Sequence, residues 1–140
     1  MNNNTFFVDT VCWIALLNQQ DNLHTKTNRL YKKLLKSGSH VITTSSILVE
    51  TANALCDPAY KSAVITFRNN LLASTRVEII FVDRELWEKG WMLYEQRSDK
   101  AWSLTDCISI VVMKEWNIHK VLTSDHHFVQ AGFEALLINK

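Results

Sequence analysis

The strongest constraint on the fold is an alternation. Short runs rich in β-branched and aromatic residues recur along the chain, each followed by a stretch with helical spacing. TFFVD (5–9), VITT (41–44), VEIIFVD (77–83), HKVLTS (119–124) and EALLIN (134–139) read as strands. The helical segments are VCWIALLNQQ (11–20), residues 24–37, SSILVETANALC (45–56), residues 59–73 behind Pro58, RELWEKGWMLYEQR (84–97) and SLTDCISIVVMKEW (103–116). A short helical turn follows Asp125. A chain that keeps returning from helix to strand builds a parallel sheet covered by helices, so the expected class is α/β, a three-layer α/β/α sandwich. No linker, repeat or low-complexity segment interrupts the 140 residues, which are expected to form one domain, 1–140.

Composition narrows the function. The formal net charge is +1, so no global field draws the chain to nucleic acid or membrane, and nucleic-acid binding has to come from a local patch. Cys12, Cys56 and Cys107 lie far apart without CxxC spacing and are expected as buried thiols rather than disulfides or zinc ligands. The first residues, MNNN, carry no positive side chain, and Asp9 interrupts the first apolar run, so no export signal is expected. No apolar run approaches the roughly 18–20 residues of a membrane span. A soluble, cytoplasmic protein with no membrane partner is the expectation.

The informative residues are acids near strand ends. In open α/β sheets, ligands bind beyond the carboxyl ends of the strands. Asp9 closes the first strand, and Asp125 follows the fourth in VLTSDHHF (121–128). Glu50 sits one and a half turns into the helix after the second strand, and Asp106 lies in the first turn of the apolar helix before the fourth. Four acids can thus converge at one edge. Carboxylates so placed repel one another unless protonated or bound to cations. Mg2+ or Mn2+, hard cations that prefer oxygen, suit such a set.

Each acid also has a local reading. Asp9 and Asp125 can cap the helices they precede, and Asp106 completes a capping box with Ser103. Glu50 sits among Ile47, Leu48, Val49, Ala52, Ala54 and Leu55, so that helix is expected to be largely buried and its acid to need a partner. Asp83 also ends a strand, but the amphipathic RELWEKG that follows makes it an N-cap. His126 and His127 are adjacent with no HxxxH spacing, which does not make a zinc site.

As an ordered set, FFVDT, ILVETANAL, SLTDCISIVVMKE and VLTSDHHF resemble the PIN-domain family, in particular VapC-like toxins, over nearly the whole chain. The resemblance implies a five-stranded parallel sheet of order 3-2-1-4-5 with an acidic pocket at its C-terminal edge. It implies a metal-dependent ribonuclease that hydrolyses phosphodiester bonds, leaving a 5′-phosphate and a 3′-hydroxyl, as the toxin of a toxin–antitoxin pair. Carried over by position, Asp9, Glu50, Asp106 and Asp125 are the catalytic and metal-binding set. Asp9 and Asp125 are the first choice as direct ligands; Glu50 either binds metal or orients the attacking water. The implied partners are RNA, a small antitoxin and a second copy of the chain. Two departures stand out. Thr10 is the only hydroxyl residue close behind Asp9, and His127 occupies a place where many relatives carry another Asp.

Around these acids, Thr10, Ser46, Asn53, Thr123, Ser124 and His127 are candidate supporting or substrate-facing groups. Lys26, Arg29, Lys33 and Lys36 recur at helical spacing and either track an RNA backbone or form a solvated helix face. The five Trp residues offer base stacking, core packing or a subunit interface. A haloacid-dehalogenase-like phosphotransferase needs DxD where this chain has DTV, and a receiver domain needs paired acids at strand one. A housekeeping PIN nuclease, or a binding module that keeps the fold without turnover, remains the alternative to a toxin.

Overall fold

A computed structural model describes residues 4–138. The chain runs β1 (Thr5–Val8), α1 (Thr10–Leu17), α2 (His24–Lys36), β2 (His40–Thr44), α3 (Ser45–Ala54), α4 (Pro58–Ala73), β3 (Val77–Ile80), α5 (Arg84–Gln96), α6 (Leu104–Glu115), β4 (Lys120–Leu122), α7 (His126–Gln130) and β5 (Glu134–Ala135). The five strands form one sheet in the order β3-β2-β1-β4-β5, and every pairing is parallel. This is the α/β topology expected from the sequence.

The order creates the functional edge. From β1 the chain steps outward to β2 and β3, then crosses back to lay β4 on the other side of β1. Right-handed crossovers put the helices of the two halves on opposite faces. Accordingly α1 packs with α2, α3 and α4, whereas α5 packs on α6, which meets α7. Where the direction of winding reverses, the loops after β1 and β4 part and leave a crevice.

β1 is fully buried because it has neighbours on both sides and helices on both faces. Phe6, Phe7, Val8, Val121 and Leu122 form the sheet's centre, and Trp13, Ile47, Ile108, Ile110, Met113 and Phe128 pack around it. Two of the polar groups in this core are linked in a chain: Trp13 Nε1 donates to Thr43 Oγ1 at 3.2 Å, and Thr43 donates to the Val8 carbonyl at 3.0 Å. α6 is the buried helix anticipated, with Cys107, Ile108, Ser109, Ile110, Val112 and Met113 all inside.

Four sequence expectations change. β3 ends at Ile80 rather than Asp83: Phe81 is 67% exposed, and the Val82 N–H turns to Ser45 Oγ. β5 keeps only Glu134–Ala135 of the expected 134–139, because the chain turns after two residues at the sheet's edge; Asn139 lies outside the described residues. α3 is not largely buried. Only Ile47 and Thr51 face inward, while Val49 is 59% exposed, since α3 packs on one side only, against α1 and β2. Cys12 and Cys107 are buried thiols as expected, but Cys56, just past α3, is exposed. Among the described residues, no helix is long and apolar enough to cross a membrane.

Candidate active site

Asp9 is the residue at which β1 gives way to α1. It occupies the N-cap position, yet its side chain makes no capping bond. Instead Thr123, arriving at the end of β4, donates its hydroxyl to Asp9 Oδ2 at 2.9 Å. The same Thr123 oxygen accepts the Asp125 N–H at 3.0 Å. One threonine therefore ties the ends of β1 and β4 together and sets Asp125 beside Asp9.

Asp9 is only 4% exposed. Burial pushes its pKa up to about 7 from an ordinary 3.8; the Thr10 N–H and the Thr123 hydroxyl oppose the rise, and the charges of Asp106 and Asp125 add to it. Its cost is thus chiefly desolvation rather than crowding. Asp106, also buried, is raised for the same first reason. The Ser103 N–H opposes that rise, Asp125 adds to it and His127 lowers it.

Asp106 and Asp125 keep the capping roles legible in the sequence and still face one another. Ser103 and Asp106 form a reciprocal capping box, with both bonds at 3.0 Å. Asp125 caps α7 by accepting the His127 N–H at 2.9 Å. That turn folds the His127 ring back over the acids. Its Nδ1 lies 3.2 Å from Asp106 Oδ2 and 3.1 Å from Asp125 Oδ1. The atom is buried but is not aligned for a hydrogen bond to either oxygen. One ligand atom from each of Asp106, Asp125 and His127 lies within 4.8 Å of the others.

Glu50 reaches the site from α3. Its partner is Thr10, whose hydroxyl donates to Glu50 Oε1 at 2.7 Å. Thr10 directly follows Asp9, so Glu50 is fixed next to the same junction. That bond gives a half-buried glutamate on an apolar helix the partner it needs.

The structure therefore brings Asp106, Asp125 and His127 into one tight cluster, joins Asp9 to it through Thr123, and brings Glu50 alongside through Thr10. A buried carboxylate held near neutrality, two more acids and an unsatisfied imidazole nitrogen are a donor set that suits a divalent cation. Asn53 is exposed on α3, and no hydrogen bond among the described residues joins Asn53 or Ser124 to these acids. Lys26 is drawn to the sheet's end by donating to the Leu137 carbonyl at 2.9 Å, while Arg29, Lys33 and Lys36 stay exposed along α2. Sequence reasoning had His127 as a supporting or substrate-facing group in a place where relatives carry an acid, and the structure sets its ring against two of the acids. The signal was local: a carboxylate accepting from the backbone two residues ahead reverses the chain within a short turn.

Residues 6–134 match the PIN domain family. The 23S rRNA-specific endonuclease VapC20 of Mycobacterium tuberculosis is 31% identical over 130 residues, 91% of this chain and 94% of that protein. The crystal structure of Mycobacterium tuberculosis VapC20, a sarcin-ricin loop cleaving toxin, superposes with a TM-score of 0.80 at 29% identity, covering 91% of this chain and 95% of that one. VapBC2 from Rickettsia felis, bound to a DNA fragment from their promoter, shares the fold at 16% identity, with a TM-score of 0.64 over 94% of this chain and 96% of that one. FitAcB from Neisseria gonorrhoeae shares it at 15% identity, with a TM-score of 0.63 over 96% of each chain.

Proposed function

The chain belongs to the PIN-domain family as a VapC-like toxin ribonuclease, and we propose that it hydrolyses a phosphodiester bond of ribosomal RNA with Asp9, Glu50, Asp106 and Asp125 as its working acids. The observation that carries this reading is the convergence at the β1/β4 crevice of Asp9, Asp125 and Glu50 through Thr123 and Thr10, with a carboxylate oxygen of Asp106 within 4.8 Å of one of Asp125. Ribosomal RNA is the substrate class because the relative that is 31% identical over nearly the full length acts on 23S rRNA.

Asp9, Asp106 and Asp125 would hold Mg2+ or Mn2+, with Glu50 beside them. A bound divalent cation supplies activation of water and neutralisation of charge on the phosphate oxygens. The protein's own part is placement. Thr123 holds Asp9 in place through one of its oxygens. Capping bonds hold Asp106 and Asp125 by their helix starts, so neither carboxylate has to be ordered when substrate arrives. Glu50, pinned by Thr10, is the acid we assign to orient the attacking water and receive its proton. His127, with Nδ1 set between Asp106 and Asp125, takes the place of a further acid.

Residues 1–140 acting as one PIN-like domain belongs to the same proposal, as do two protein partners. A small antitoxin would bury the apolar groove lined by Trp13, Leu17, Tyr31 and Phe67 between α1, α2 and α4. A second copy of the chain would cover exposed apolar side chains such as Val49 and Ile65.

Purified protein incubated with ribosomal RNA and Mg2+ or Mn2+ tests the reading. A discrete cut is expected, lost on chelation and slowed at least about 100-fold in Asp9→Asn, since even groups that only support metal ligands cost 10- to 100-fold. RNA left intact with either metal, together with Asp9→Asn indistinguishable from wild type, would sink it.

A further inference from the structure

On α5, Trp87, Trp91 and Tyr94 form an edge-to-face ladder with ring centroids 6.1 and 5.3 Å apart. Their exposures are 45%, 37% and 44%, so the ladder is not core packing. An aromatic surface left this open marks a binding face. Its C-terminal end, Trp91 and Tyr94, opens onto a groove of about 560 Å3 whose opposite side is the α5–α6 connection with Arg97, Lys100, Trp102 and Ser103.

This groove is built into the acidic site. Trp102 is 5% exposed and held on two sides. Its Nε1 donates to Gln130 Oε1 at 3.0 Å, and the Arg97 guanidinium lies 5.1 Å from its ring centroid. Gln130 is the last residue of α7, the helix that Asp125 caps and that carries His127. Ser103, also in the groove's lining, exchanges two hydrogen bonds with Asp106. The groove wall is thus tied to both acids of the cluster.

Charge decides what the groove can read. Arg97 and Lys100 are answered by Asp99, which takes two bonds from Arg97 at 3.0 and 3.1 Å, and by Glu95 in the lining. The local balance is near zero, so the groove is not a track for phosphates. It offers aromatic faces and a planar guanidinium, the surfaces on which nucleobases stack.

We propose that the groove between α5 and the α5–α6 connection is a nucleobase subsite, in which a base flanking the cleaved phosphate of the RNA stacks on Trp91 and Tyr94 against the Arg97–Trp102 wall. The proposal rests on the ribonuclease reading above.

The test titrates a fluorescein-labelled single-stranded RNA of mixed sequence against Asp9→Asn protein in Mg2+, followed by anisotropy. Adding Trp91→Ala or Tyr94→Ala should weaken binding about 5- to 150-fold, the range for losing one stacked base. Trp91→Phe should stay near the parent. With Asp9 intact, the same alanine changes should raise KM for RNA by a similar factor. Thermal melts and light scattering on each variant establish folding and particle mass. Folded alanine variants that bind and cleave RNA like their parents overturn the subsite alone, provided wild type still cuts RNA and Asp9→Asn does not. A change in particle mass without a change in RNA affinity overturns it in favour of a subunit interface. Failure of wild type to cut RNA removes the ribonuclease reading and the subsite with it.

Discussion

Asp9 and Asp83 share one local grammar: each follows a parallel strand and occupies the N-cap position of a helix. Their fates differ. Asp83 is exposed and caps α5, accepting the Leu86 N–H at 2.9 Å. Asp9 is buried, makes no capping bond and is held by Thr123 from another strand. The difference is place in the sheet. β3 is an edge strand whose end runs into solvent, and β1 is central, with β4 beside it across the winding reversal. Local sequence assigns both acids to a cap; sheet order buries one of them in the candidate site.

The largest effect that would sharpen this contrast concerns stability. With a folded pKa of about 7 against an ordinary 3.8, Asp9 keeps its proton in the folded state over a range where the unfolded chain has lost it. The unfolded chain then binds fewer protons, so stability falls as pH rises from about 4 to 7. Above that window the folded protein carries the whole cost, about 4 kcal/mol at 1.36 kcal/mol per pKa unit. Metal-free Asp9→Asn, which keeps an oxygen to accept from Thr123, is expected to melt higher than wild type at pH 8. The two should converge near pH 4. Mg2+ should raise the wild-type melting temperature and leave the variant's nearly unchanged. Equal melting of the two metal-free proteins at pH 8 would mean Asp9 is no more burdened than Asp83.

What the sequence revealed follows the same division. The strands, the helices and the acids at strand ends were legible because periodicity and punctuation are local. Ser103 with Asp106, and Asp83 at the head of RELWEKG, were legible as caps for the same reason, and the structure has both. The bond from Thr123 to Asp9 joins residues 114 apart, and that from Thr10 to Glu50 joins residues 40 apart. Such pairs exist only once strand order is fixed, and that order came from a family resemblance rather than from spacing. The misreading of α3 has a similar cause. Its apolar composition suggested burial, but burial depends on how many neighbours the fold supplies, and α3 has them on one side.

A second, smaller effect asks whether the α5 region is coupled to the acids through packing. Gly90 on α5 is buried, and a Cβ there would meet Ile108 Cγ1 of α6 at 2.5 Å. Ile108 lies two residues beyond Asp106, so a shift of α6 that relieves this contact would carry an acid with it. Overpacking typically costs about 1–3 kcal/mol, and alanine returns up to about 1 kcal/mol in helix propensity. Gly90→Ala is therefore expected to lower stability by about 1–2 kcal/mol in denaturant melts and to reduce kcat on RNA as well. A destabilised variant with wild-type kcat would show that α6 tolerates the shift and that the two regions are mechanically separate.

The smallest effect bears on Asp83 itself. Asp83→Ala removes the acceptor for the Leu86 N–H at the head of α5. Loss of an N-cap costs about 1 kcal/mol, and Asp83→Asn, which keeps an acceptor, should cost little. Because Asp83 sits at the far edge of the sheet, Asp83→Ala should cut RNA at the wild-type rate and show the same rise in melting temperature with Mg2+. RNA cleavage or Mg2+ stabilisation lost in Asp83→Ala would place this acid in the site and remove sheet position as the reason the two differ.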